Sequence, residues 1–99
     1  MTTGTKIYEG GRGLGGAQVT VDGQPLDPRF DVRTFSPMGF EWTYEGDAPR
    51  QLALALLCDH LGDPARALAL TEDFMRRVVA ELDNAWMLTS EEIEAALPR

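Results

Sequence analysis

The sequence predicts a small α+β domain: an antiparallel sheet packed on a two-helix hairpin, with a short helix near the C-terminus. Three observations carry that prediction. Ala17 to Val21 (A-Q-V-T-V) alternates with the period of a strand and runs into Asp22-Gly23, a pair favoured where a tight hairpin needs positive φ. Leu52 to Leu61 is apolar on nearly every side, the pattern of a buried helix. Gly62-Asp63-Pro64 then ends that helix and opens another at once, which makes the pair a close-packed hairpin.

In order along the chain, Thr5 to Tyr8 predicts a first short strand, with Ile7 on one face and Lys6 and Tyr8 on the other. The glycine-rich run Gly10 to Gly16 is expected to interrupt regular structure as a flexible connector. In the second strand Ala17, Val19 and Val21 share a face. Gln24-Pro25-Leu26 is a brief return arm, kept by its proline at a sheet edge or at the end of the pairing. Asp27 to Met38 reads either as irregular chain laid over the core or as a poor edge strand. Phe40 to Tyr44 predicts an aromatic strand, with Phe40, Trp42 and Tyr44 on one face and Glu41 and Thr43 on the other.

Asp47 is placed to cap a helix over Pro49 to Leu61. The second helix, Pro64 to about Leu82, is amphipathic through Leu68, Thr71, Met75, Val78 and Leu82. Glu72 with Arg76 and Asp73 with Arg77 form acidic-before-basic pairs on its solvated face, each contributing about 0.3 kcal/mol. Trp86-Met87-Leu88 is a short apolar return segment suited to a strand, and Thr89 to Glu92 has capping-box spacing for a final helix.

The 99 residues suffice for one domain with one core, and a 43% apolar share fits a folded chain. Residues 1–4 are expected to be flexible, 5–48 to be mainly strands and loops, and 49–97 to be mainly helical. A formal charge of −7 argues against direct nucleic-acid binding, which needs a basic face. Cys58 is the lone cysteine, so an intrachain disulfide is excluded and a reducing cytoplasm is the expected location. The start of the chain does not read as a signal peptide, and the longest apolar run falls far short of the ~20 residues that span a bilayer.

Several arrangements invite a chemical reading. Gly11 to Gly16 matches G-x-G-x-x-G, but the segment behind it has strand period where a dinucleotide site needs a helix. Cys58 and His60, two apart on a helix, point about 200° away from each other and do not readily share a ligand or a proton. Cys58 is expected to pack as a small apolar residue, and His60 to border the helix end. With one His and one Cys, a closed zinc site from this chain would need carboxylates to complete it, and none is expected. Glu41, set between Phe40 and Trp42, needs a partner if buried, with Arg12, Arg50 and Gln51 as candidates. The rings of Tyr8, Phe40, Trp42, Tyr44 and Trp86 are expected mostly to close the core, with recognition as the alternative use.

Gly39-Phe40-Glu41-Trp42, running into Pro49-Arg50-Gln51-Leu52-Ala53-Leu54-Ala55-Leu56-Leu57 and Asp59-His60-Leu61-Gly62-Asp63, resembles a family of small proteins known as domain of unknown function 6166. Tyr8, Arg12, Val19, Val21, Gly23 and Leu26 upstream extend the resemblance, as do Ala67-Leu68, Phe74, Trp86, Leu88 and Thr89 downstream. Thr43, Glu45 and Asp47 depart from the small residues that the family pattern favours there. The resemblance implies a compact α+β domain borne by microbial and phage genes, with no activity, cofactor or catalytic residue to transfer.

The chain lacks a convergent nucleophile, base and oxyanion donor, so the expected function is a non-enzymatic protein-interaction module. Its partner is expected to be a protein met through Arg12, Glu41, Trp42 and Tyr44, with no cofactor, no metal and no membrane. An acidic inhibitor that occupies the nucleic-acid site of a basic protein is one alternative. A small hydrolase or transferase using Glu41 or His60 is the other.

Overall fold

A computed structural model describes residues 5–98; the stretch expected to be flexible, 1–4, lies outside the described residues. The fold is α+β, as the sequence predicts. Strands β1 (Ile7–Gly13), β2 (Gly16–Val21), β3 (Gln24–Pro25) and β4 (Trp86–Thr89) form one antiparallel sheet in the order β3-β2-β1-β4. Helices α1 (Asp47–Leu61) and α2 (Pro64–Arg77) pack as a hairpin, and α3 (Ser90–Ala95) follows β4. A single core cluster joins Tyr8, Val19 and Trp86 of the sheet to the leucines of α1 and to Phe74 and Met75 of α2.

The first strand differs from expectation in length and in facing. It continues through Gly13, and only Leu14 and Gly15 form the turn. Tyr8 opposes Val21 and Leu88, Gly10 opposes Val19 and Trp86, and these positions face the core, whereas Ile7 and Met87 face outward. Tyr8 takes the inner place because its ring is buried while its hydroxyl donates to Asp59 Oδ1 at 2.7 Å. The Asp22-Gly23 hairpin has φ of 49° and 84°, as a two-residue turn with two left-handed positions requires.

No strand forms at Phe40 to Tyr44. The Glu41 N–H donates to the Ala48 carbonyl at 3.4 Å and the Thr43 N–H to the Val79 carbonyl at 3.3 Å. The segment therefore spends its backbone groups on helical neighbours. Its aromatic residues do not share one face: Trp42 is fully buried, while Tyr44 is half-exposed.

Asp27 to Met38 is irregular chain held by one side chain. Gln51 Oε1 accepts from the N–H groups of Phe35 (2.7 Å) and Ser36 (3.1 Å), and its Nε2 donates to the carbonyls of Pro28 (2.7 Å) and Arg33 (3.0 Å). The carboxamide thus supplies bonds that a sheet neighbour would otherwise give.

Helix α1 is buried without a break from Gln51 to Cys58. It starts at Asp47, earlier than predicted, and Gly46 stands at the N-cap; Asp47 lies in the first turn and pairs with Arg50 at 2.9 Å. Gly62 adopts the left-handed C-cap, and the Asp63 side chain accepts the Arg66 N–H to open α2. Helix α2 stops at Arg77, short of the predicted Leu82, and Val79–Glu81 continues as one 3-10 turn. There the Val79 carbonyl serves Thr43 and Leu82. The predicted capping box is present, with the Glu92 N–H donating to Thr89 Oγ1 and the Thr89 N–H donating to Glu92 Oε1.

Candidate functional site

The residues singled out from the sequence meet at one end of the sheet. Arg12 sits on the inner face of β1, opposite Ala17, which is too small to cover it. Its guanidinium carbon lies 4.5 Å from the centroid of the Trp42 ring, a cation–π contact. One amino group donates to Glu41 Oε1 at 2.6 Å and to the Trp42 carbonyl at 3.4 Å; the other donates to Asn84 Oδ1. Both members of the Arg12–Glu41 pair keep about a third of their side-chain surface exposed, 31% and 35%. Glu41 thus has the first of its three candidate partners.

Beneath this pair lies a layer of indoles. Trp42 Nε1 donates to the Asn84 carbonyl at 3.1 Å, and Trp42 meets Trp86 edge to face with centroids 5.7 Å apart. Trp86 Nε1 is buried with no hydrogen-bond partner among the described residues. The structure therefore brings Arg12, Glu41 and Trp42 together and leaves Trp42 no exposed surface of its own. Tyr44 stands farther along the same segment, half-exposed, with its ring over Gly46, where a Cβ would come within 2.8 Å of Cε2.

Sequence reasoning missed Asn84 and the trough that Phe40 helps to build. That trough, about 400 Å³, lies along the outer edge of β2 and is lined by Ala17, Gln18, Val19, Thr20, Pro25 and Phe40. Its existence follows from the brevity of β3, which covers only Thr20 and Val21. Pro25 was the available signal, because a proline limits a strand's pairing.

A second polar group lies beside α1. Asp59 Oδ1 accepts from Tyr8 Oη and, at 2.9 Å, from Lys6 Nζ, next to a 210 Å³ recess lined by Leu26, Asp27, Arg29, Ala55 and Asp59. Burial, with the hydrogen bond to Asp59 second, pushes the Tyr8 phenol well above its ordinary pKa. Arg29 is committed to both oxygens of Asp31, at 3.0 and 3.1 Å. The charges around this recess are largely matched within the chain. Cys58 is buried and its thiol is pushed up by desolvation, so it is held as a neutral thiol, and His60 Nε2 lies 2.7 Å from Glu94 Oε1. Among the described residues no group of three or more His, Cys, Asp or Glu is placed to hold a metal ion, and no helix is long and apolar enough to cross a membrane.

A family described as a family of unknown function, DUF6166, matches residues 8–99. The chain belongs to that family. No curated protein and no solved structure matches it. In this DUF6166 member, residues that carry the resemblance meet one another in space: Tyr8 with Asp59, Arg12 with Glu41, and Trp42 with Trp86.

Proposed function

We propose that this chain is a non-enzymatic module that binds another protein in the cytoplasm, through the surface around Arg12, Glu41 and Tyr44. The observation that carries the reading is the bracing of the segment from Phe40 to Gly46. Arg12 and the buried Trp42 hold it from below, while half-exposed Tyr44 and partly buried Phe40 remain at the surface. Aromatic side chains fixed before contact lose little entropy on binding, which favours their use as anchors. Trp42 acts here by shaping the segment. Cys58 as a neutral buried thiol suits a reducing compartment.

The test is affinity capture from source lysate with quantitative mass spectrometry, comparing wild type with Tyr44→Ala and Arg12→Ala after circular dichroism has verified each fold. A partner recovered by wild type and depleted with either variant supports the assignment. Equal recovery by both folded variants removes this surface from consideration.

A second reading, an acidic inhibitor of a basic nucleic-acid-binding protein, draws on the net charge of −7. It is also favoured by the internal pairing of Arg29 with Asp31, Arg50 with Glu72 and Arg77 with Asp73. That reading requires association that weakens steeply as salt is raised.

A further inference from the structure

We infer that an extended, basic segment of a partner protein adds as a strand to the open edge of β2 beside Phe40. The inference rests on the interaction-module reading and specifies the partner's chemistry.

The phase of the antiparallel ladder sets which backbone groups are free. The Asp22 N–H donates to the Ile7 carbonyl at 2.8 Å, so Ile7 and Asp22 form a hydrogen-bonded pair. Because such pairs alternate, Gly16, Gln18 and Thr20 turn their backbone groups toward β1, and Ala17, Val19 and Val21 turn theirs the other way. Val21 is covered by Gln24, and the Val19 carbonyl accepts the Leu26 N–H at 3.0 Å. Beyond that point the pairing ends, and the amide and carbonyl of Ala17 face the trough.

The trough suits an added strand. Its lining is free of charged side chains, with Pro25 and Phe40 at its sides and the short residues Ala17 and Val19 along the strand. Edge strands are commonly protected by lysines or by inward-pointing charges, and this stretch has neither. An extended chain placed here gains main-chain hydrogen bonds at Ala17, and alternate side chains reach Phe40 on one side and Gln18 and Thr20 on the other.

Charge selects the occupant. Glu9 lies across the sheet from Thr20, Glu41 and Arg12 offset each other as an ion pair, and the chain as a whole carries a charge of −7, so the balance of charge near this edge is negative. Arg12, the cation opposite Ala17, is committed to Glu41 and Asn84. A segment bearing Lys or Arg fits this edge, whereas a second copy of a chain with net charge −7 brings like charge to it.

The test uses the full chain as bait for a displayed library of random linear peptides, followed by titration of the most enriched synthetic peptide. Ala17→Pro removes the outward N–H without touching the bonds to β1. Gln18→Lys places a cation at the trough on an exposed side chain, and Gln18→Glu is its charge-opposite control. The expected result is enrichment of peptides alternating apolar residues with Lys or Arg, slowed hydrogen exchange at the Ala17 amide, and binding weakened about tenfold or more by Ala17→Pro and by Gln18→Lys but not by Gln18→Glu. Enrichment of acidic peptides, or the absence of enrichment, overturns the inference. So does wild-type affinity in a folded Gln18→Lys chain, or a dimer in sedimentation that Ala17→Pro returns to monomer. A peptide lost by Tyr44→Ala but retained by both edge variants sinks the edge assignment while leaving the module reading standing.

Discussion

The Trp86 indole occupies the space where Gly10 would carry a side chain: a Cβ there would fall 2.3 Å from Trp86 Cε2 and Nε1. This glycine belongs to the strand because the indole across from it needs its room. Gly10→Ala is expected to destabilise the fold by about 1–3 kcal/mol through overpacking. Gly11→Ala, where a Cβ meets nothing within 4 Å, serves as the control and should change little. Urea unfolding followed by tryptophan fluorescence measures both. Equal effects would show that the indole moves aside freely.

Gln51 carries a comparable burden for the irregular segment above α1. Its fully buried carboxamide meets two N–H groups and two carbonyls. Gln51→Leu keeps similar bulk but leaves those backbone groups unpaired, so a loss of about 3 kcal/mol is expected, with faster proteolysis between residues 28 and 36. Gln51→Glu keeps the acceptor, and its carboxyl supplies one donor to the Pro28 and Arg33 carbonyls only when protonated, so it should fall between Leu and wild type at acid pH and lose that advantage as pH rises. Denaturant midpoints and limited proteolysis report the two effects separately.

Thr43 has φ of 80°, a left-handed value that a β-branched residue adopts at a cost. Thr43→Gly relieves that cost, partly offset by the greater entropy of the unfolded chain, for a net gain of about 0.5–1 kcal/mol. A rise in Tm is the expected reading. An unchanged or lower Tm would mean that the Thr43 side chain stabilises the turn in some other way.

Alkaline pH should weaken the fold through Tyr8 and Cys58. Both groups are raised above their ordinary values in the folded chain, chiefly by burial. The folded state then holds protons that the unfolded state gives up, and stability falls as pH rises past the unfolded values, near 8.5 for the thiol and 10 for the phenol. Below those values the contribution is fully present. Tyr8→Phe should flatten the decline above about pH 10, and Cys58→Ala the part that begins near 8.5, in unfolding series from pH 7 to 11. An identical slope in Tyr8→Phe would assign the alkaline loss to other groups.

The sequence by itself determined the features whose cause is local. Asp22-Gly23 forms its hairpin because few dipeptides tolerate two left-handed positions. Gly62-Asp63-Pro64 ends one helix and begins the next because cap geometry is read within four residues. The all-round apolar surface of α1 announced its burial, and Thr89 with Glu92 closed the predicted capping box. Arg12 was legible as a candidate partner of Glu41, though not its place over Trp42.

Tertiary structure alone decided matters that depend on a distant neighbour. Alternation at Phe40 to Tyr44 has the period of a strand, yet the segment bonds to Ala48 and Val79 and does not join the sheet. The Gly10 to Gly16 run looked like a connector because glycine favours disorder locally; pairing with β2 and the bulk of Trp86 hold its first part in β1. Periodicity assigns a residue to a face, but it does not say which partner lies opposite. That choice is made when long-range backbone pairs and buried side chains are satisfied together, and it is what left Ala17 at an open edge beside Phe40.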